Sequence, residues 1–136
     1  MIRVLVKLLC RTTLSSALFA SCVAAHAAGA SFVEPKDGAR VSNPVHLKFV
    51  VEGMKVVPAG NMTPGTGHHH LLIDAQALPN GEVVPANDHS IHYGKGQTET
   101  DVTLPPGNHT LTMQFADGAH RSYGPEMSQT IKVPVK

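Results

Sequence analysis

The sequence predicts an all-β fold, an antiparallel sandwich of about seven strands, on three observations. Apolar residues recur at alternate positions in several short segments, Pro and Gly punctuate the chain between them, and beyond Ala28 nothing keeps apolar residues at helical spacing for three turns. Without crossover helices the strands must pair antiparallel and bury their apolar faces against a second sheet.

Phe32 and Val33 form a short strand before the turn signal Pro35-Lys36-Asp37-Gly38. Val45, Leu47, Phe49 and Val51 are apolar while His46 and Lys48 between them can meet water. Next comes Gly67-His68-His69-His70-Leu71-Leu72-Ile73-Asp74. As a strand it sets His69, Leu71 and Ile73 on one face and His68, His70, Leu72 and Asp74 on the other. Thr98, Thr100, Val102 and Leu104 alternate with Gln97, Glu99, Asp101 and Thr103, and threonine suits a half-buried pleated surface. Pro105-Pro106-Gly107-Asn108 turns the chain into a return strand with His109, Leu111, Met113 and Phe115 on one face. Thr110, Thr112 and Gln114 take the other, and Asp117-Gly118 ends it. The last strand, 130–135, turns Ile131, Val133 and Val135 inward and Lys132 outward; Pro134 cannot donate to a ladder and so predicts an edge position. Residues 58–67 and 78–95 are linker-like and flank the His-rich strand, where loops on a rigid scaffold carry binding residues.

Ahead of these strands, Arg3, Lys7 and Arg11 precede an apolar, small-residue stretch over 12–25 that ends at Ala25-His26-Ala27, the order of a secretory signal. The stretch is too short and too rich in Ser and Ala for a spanning helix, and no later segment approaches the roughly 18 apolar residues such a helix needs. The expectation is a signal peptide over 1–27 and a single domain over 28–136, periplasmic or secreted. Leu18-Phe19-Ala20-Ser21-Cys22 loosely fits a lipobox, which would instead anchor the chain by a lipid on Cys22; Phe19 departs from that pattern. Cys10 and Cys22 both fall in the leader, so the domain relies on its core even though an oxidising compartment would permit disulfides. The remaining 109 residues suffice for one such core.

The leader takes three of the 11 Lys and Arg, leaving eight against 10 acids, a balance of −2 with His neutral. That argues against a nucleic-acid partner, and the scattering of the bases argues against an anionic membrane surface.

Eight histidines follow the leader, more than packing needs. His68 and His70, alternate on one strand face, project side by side about 7 Å apart at the backbone, so their imidazoles can converge on one ion. Neutral imidazole suits zinc and copper. A third ligand could come from Asp88-His89-Ser90-Ile91-His92, from His109 or from His120, with Asp74 or Glu99 holding a ring by its other nitrogen. Met54, Met62, Met113 and Met127 offer soft donors, although Met113 reads as core. Against this stands a plain structural use, in which a His-x-His pair is polar surface and His109 is hydrogen-bonded at the mouth of the core. A third use needs no metal: clustered imidazoles gain charge together below neutral pH and could switch an interface.

Catalytic motifs are missing. Lys95 lacks the glycine spacing and the following Ser or Thr of a phosphate loop, and there is no Gly-x-Ser-x-Gly elbow, no thiol nucleophile and no His-Glu-x-x-His helix.

At Pro58-Ala59-Gly60, at the triple-His segment, at His92-Tyr93-Gly94-Lys95-Gly96-Gln97-Thr98-Glu99 and at Leu104-Pro105-Pro106-Gly107-Asn108-His109-Thr110-Leu111, the chain resembles a bacterial and archaeal family of exported, His-rich domains of unknown function. The resemblance spans about 32–135 and implies no particular activity. A sandwich with a His-bearing strand is also similar to immunoglobulin-like copper carriers and to copper-zinc superoxide dismutase, which implies an immunoglobulin-like arrangement. Two departures keep those activities from being carried over: the domain has no cysteine for the dismutase disulfide, and cleavage after Ala27 creates no amino-terminal His.

The expected function is therefore storage, buffering or delivery of copper or zinc by a non-enzymatic protein. His68, His70 and His92 would hold the ion, with His89, His109 or His120 completing or supporting the site. The alternative is a structural or interaction module that recognises an envelope protein without metal. A metal-dependent hydrolase would need an open coordination position and a general base, for which Glu99 is the candidate.

Overall fold

In a computed structural model that describes residues 29–136, the alternating segments form eight strands in two sheets. They are β1 (Gly29–Glu34), β2 (Val45–Glu52), β3 (Lys55–Val56), β4 (Thr66–Ile73), β5 (Ser90–His92), β6 (Glu99–Val102), β7 (Gly107–Ala116) and β8 (Ser128–Val135), with a short 3-10 turn, Pro125–Met127, before the last. The smaller sheet runs β1-β2-β6 and the larger β3-β4-β7-β8, with β5 also paired to β4. Every pairing is antiparallel except the two-residue contact of β3 with β4. The leader, Cys10 and Cys22 lie outside the described residues.

Alternation decides which face of each strand is inside. Phe32, Val45, Leu47 and Phe49 of the smaller sheet meet Leu71, Leu111, Met113, Phe115, Ile131 and Val133 of the larger in one buried cluster. Full burial of such a side chain contributes about 1.5–3 kcal/mol, so this inter-sheet layer is the main source of stability in a domain without disulfides. Pro134 does lie on the edge strand β8. The edge is partly covered, since the Gly38 amide donates to Lys132 O at 2.7 Å and the Val41 amide to Pro134 O at 2.9 Å.

Two expectations need correction. Residues 105–108 do not close a hairpin: β6 pairs with β2 in one sheet and β7 with β4 and β8 in the other, so the turn carries the chain between sheets. The strand expected over 97–104 is also shorter, because Leu104 leaves the ladder for a side-chain clamp. Its amide donates to Asn43 Oδ1 at 3.0 Å, and its carbonyl accepts from Asn43 Nδ2 at 2.7 Å.

Together with residues 111–116 of its partner β7, the strand β4 is buried along both faces. Its inner face enters the core, and its outer face lies beneath the 74–89 loop. That loop is pinned by the Leu78 amide donating to Gln114 Oε1 at 3.0 Å and by Thr112 Oγ1 donating to Ala75 O at 2.7 Å. Among the described residues no helix is long and apolar enough to cross a membrane.

Candidate metal centre

Alternation along β4 sends the three consecutive imidazoles to opposite sides. His69 turns inward, its ring edge-on to Phe49 and Phe115 at centroid distances of 4.8 and 5.0 Å. Burial, helped by His68, lowers its pKa to about 4, so it sits in the core as neutral imidazole. His68 and His70 turn outward beneath the loop layer and are almost fully buried there.

Two further histidines arrive from separate elements. His92 is the register partner of His70 across the β4–β5 ladder. Gly94, two residues on, leaves the space this ring occupies, since a Cβ there would overlap the His92 side chain. His120 comes from the turn after β7 and holds a backbone φ of 63°, a left-handed conformation unusual outside glycine. Asp117 shapes that turn: its Oδ1 accepts from the Ala119 amide at 2.8 Å and from the Arg121 amide at 2.9 Å, bracketing His120 on both sides. The His120 carbonyl accepts from the Val84 amide at 2.9 Å, tying the turn to the covering loop.

The four rings converge. His68 Nε2 lies 3.1 Å from His92 Nε2 and 3.2 Å from His120 Nδ1, and His120 Nδ1 lies 3.4 Å from His70 Nε2. All four potential donors fall within 4.8 Å of one another. Nitrogens bound at about 2.0–2.1 Å to a tetrahedral ion are about 3.3–3.4 Å apart, so three of these separations are close to those of a coordination sphere. One ring nitrogen offers a single lone pair or a single proton, whereas His68 Nε2 and His120 Nδ1 each face two others.

Electrostatics keep His68, His70 and His92 in the ligand form. Burial, then His92 and His120, lower the pKa of His68 to about 4, against a smaller upward pull from Asp117. Burial and the neighbouring imidazoles lower His70 to about 3, and burial followed by His120 lowers His92. Neutral imidazole is what a metal ion requires. Nδ1 of His68 and of His70 is buried without a hydrogen-bond partner.

Thus His68, His70, His92 and His120 come together, and the other expected contributors do not. His109 is held elsewhere by both nitrogens, Nδ1 against Asp74 Oδ2 at 2.8 Å and Nε2 against Pro105 O at 2.8 Å. His89 is exposed; its backbone amide bonds Asn87 Oδ1 and its carbonyl accepts from Ile73. Asp74 leaves the strand at φ 55° and serves His109 and the Thr110 amide rather than the outer face of β4. Glu99 lies in the other sheet opposite Lys48. Met113 and Met127 are core, and Met62 is exposed. Sequence reasoning missed the part of Asp117, although an Asp opening a Gly-containing turn is a signal for side-chain-to-backbone bonding.

A family model described as a domain of unknown function (DUF4399) matches residues 47–136, a span that contains all four converging histidines. No curated protein matches the chain. No solved structure matches it either.

Proposed function

Because the chain belongs to the DUF4399 family, a domain of unknown function, its role has to be read from the site, and we propose that it is an exported protein binding one copper or zinc ion. His68 Nε2, His70 Nε2, His92 Nε2 and His120 Nδ1 would supply the donors. The supporting observation is the convergence of those nitrogens, drawn from three separate elements to 3.1–3.4 Å along successive contacts. An all-imidazole set is chemically suited to both metals.

The protein would hold and pass on the ion rather than turn over a substrate. Metal-assisted hydrolysis needs a general base beside the ion, and Glu99, the base available from the sequence, sits in the opposite sheet. Periplasmic or secreted placement rests on the leader: three basic residues, a short apolar stretch and small residues around Ala27.

Calorimetric titration of the purified protein with Zn(II) and with Cu(II) tests the reading. The expected result is tight uptake of one equivalent, lost in a His68→Ala, His70→Ala double variant. Absence of uptake by the unaltered protein overturns it.

A further inference from the structure

Three of the four candidate ligands, His70, His92 and His120, also line a cavity of about 720 Å³, while His68 lies behind them without exposure. Small-molecule sites usually occupy about 300–1,000 Å³. The rest of the wall is the 83–87 segment with Ser90. It is tied to the metal cluster by the Val84 amide bonding His120 O at 2.9 Å and by a bridge between Val83 and Arg121. An ion held by these rings would turn one side of its coordination sphere to the cavity.

Charge and wall chemistry define what could enter. A divalent ion on four neutral imidazoles keeps its whole charge, and a partly buried, uncompensated dication is costly. Asp117, whose charge reaches His68, is already engaged by the Ala119 and Arg121 amides and by the Arg121 guanidinium at 3.9 Å. Compensation is therefore best supplied by an exogenous anion. The wall offers Val83, Val84, Pro85 and Ala86, with Asn87 and Ser90 as its polar side chains beyond the imidazoles, and no Lys or Arg. Such a surface favours an apolar body over a heavily hydrated phosphate or sulfate, which calls for guanidinium or ammonium partners.

We propose that this cavity binds a small organic monocarboxylate, whose oxygen coordinates the metal ion while its apolar body lies on Val83, Val84, Pro85 and Ala86. The proposal rests on the metal reading above and adds a ligand class to it.

The protein loaded with Co(II), whose visible spectrum reports coordination, can be titrated with acetate, butanoate and inorganic phosphate. Saturable spectral shifts are expected with both carboxylates. Butanoate should bind about tenfold more tightly than acetate, as burial of two further methylenes implies. Val83→Ser, at an exposed wall position, should shrink that chain-length gain while leaving Co(II) uptake unchanged. Co(II) uptake without any carboxylate response overturns the proposal and spares the metal reading, as does equal affinity for acetate and butanoate or preference for phosphate. Failure to take up Co(II) at all overturns the metal reading and the ligand with it.

Discussion

His70 and His92 are register partners across the β4–β5 ladder, and their rings lie 5.1 Å apart with 25° between planes. A strand of three residues cannot hold such a pairing alone. It is bracketed by the Ile73 amide donating to His89 O at 2.7 Å and by the Tyr93 amide donating to His69 O at 3.1 Å. Tyr93 then buries its ring against Phe49, 5.1 Å away. Adjacent residues thus point opposite ways, one into the core as an anchor and one outward as a candidate ligand.

Substituting His70→Leu is expected to stabilise the metal-free protein while removing its response to metal. The His70 ring is buried with Nδ1 unpaired, and an unsatisfied buried polar group costs about 1–3 kcal/mol. Leucine is of similar size and carries no such group, so urea unfolding in chelator should give a gain of about 1 kcal/mol. The unaltered protein should gain about 2.7 kcal/mol at metal concentrations 100-fold above Kd, and the variant nothing. A variant less stable than the unaltered protein in chelator would show that the Nε2 contact with His120 outweighs the unpaired nitrogen.

Substituting Gly94→Ala should act on the site and not on the fold. The added Cβ meets the His92 ring, a side chain that can swing aside toward solvent. Metal affinity is expected to fall by about 10- to 100-fold, the range typical of residues that orient a ligand, with far-UV circular dichroism unchanged. Undiminished affinity would mean that His92 is dispensable.

The strands were legible because each is a local pattern. Residues 45–51 and 109–115 alternate cleanly in sequence; burial follows that alternation in the first, whereas in the second Thr112 and Gln114 are buried as well, beneath the covering loop. The split of His69 from His68 and His70 follows from the same period of two. Pairing was less legible: Pro105-Pro106-Gly107-Asn108 reads equally well as a hairpin turn or as a passage between sheets, because turn chemistry sets local direction and not the partner. Within the site, the sequence sets His92 with His68 and His70 as a ligand, but His89, His109 and His120 are indistinguishable by type. Their separation depends on which loops fold over β4, and on Asp74 capturing His109, and these are tertiary facts with no short-range signature.

Asp117 offers a sharper contrast between two substitutions. Asp117→Asn keeps an Oδ1 that can accept from the Ala119 and Arg121 amides, whereas Asp117→Ala leaves both without that acceptor and frees His120 from its left-handed conformation. Metal affinity should be nearly unchanged in the first and at least several-fold weaker in the second, measured by competition with a chromophoric chelator. Equal losses in both would assign the effect to charge and not to the turn.

The ion pair of His109 with Asp74 should make stability depend on pH in a defined direction. The hydrogen bond to Asp74 raises the His109 pKa above its ordinary 6.5, outweighing burial. Burial would raise the Asp74 pKa, but its bonds from His109 and the Thr110 amide hold it below 3.8. For His109 the stabilisation is complete below the unfolded pKa of about 6.5 and is lost as pH rises through the raised folded value. For Asp74 it is present above the unfolded carboxylate pKa and is lost as pH falls through the lowered folded value. The pair therefore contributes most between about pH 4 and 6.5. Asp74→Asn removes the charge while keeping an oxygen for the Thr110 amide. In chelator, the gap in urea midpoint between the unaltered protein and the variant should be widest near pH 6 and should narrow steadily toward pH 9. A gap that stays constant over that range would show that the folded protein gains nothing from protonating His109.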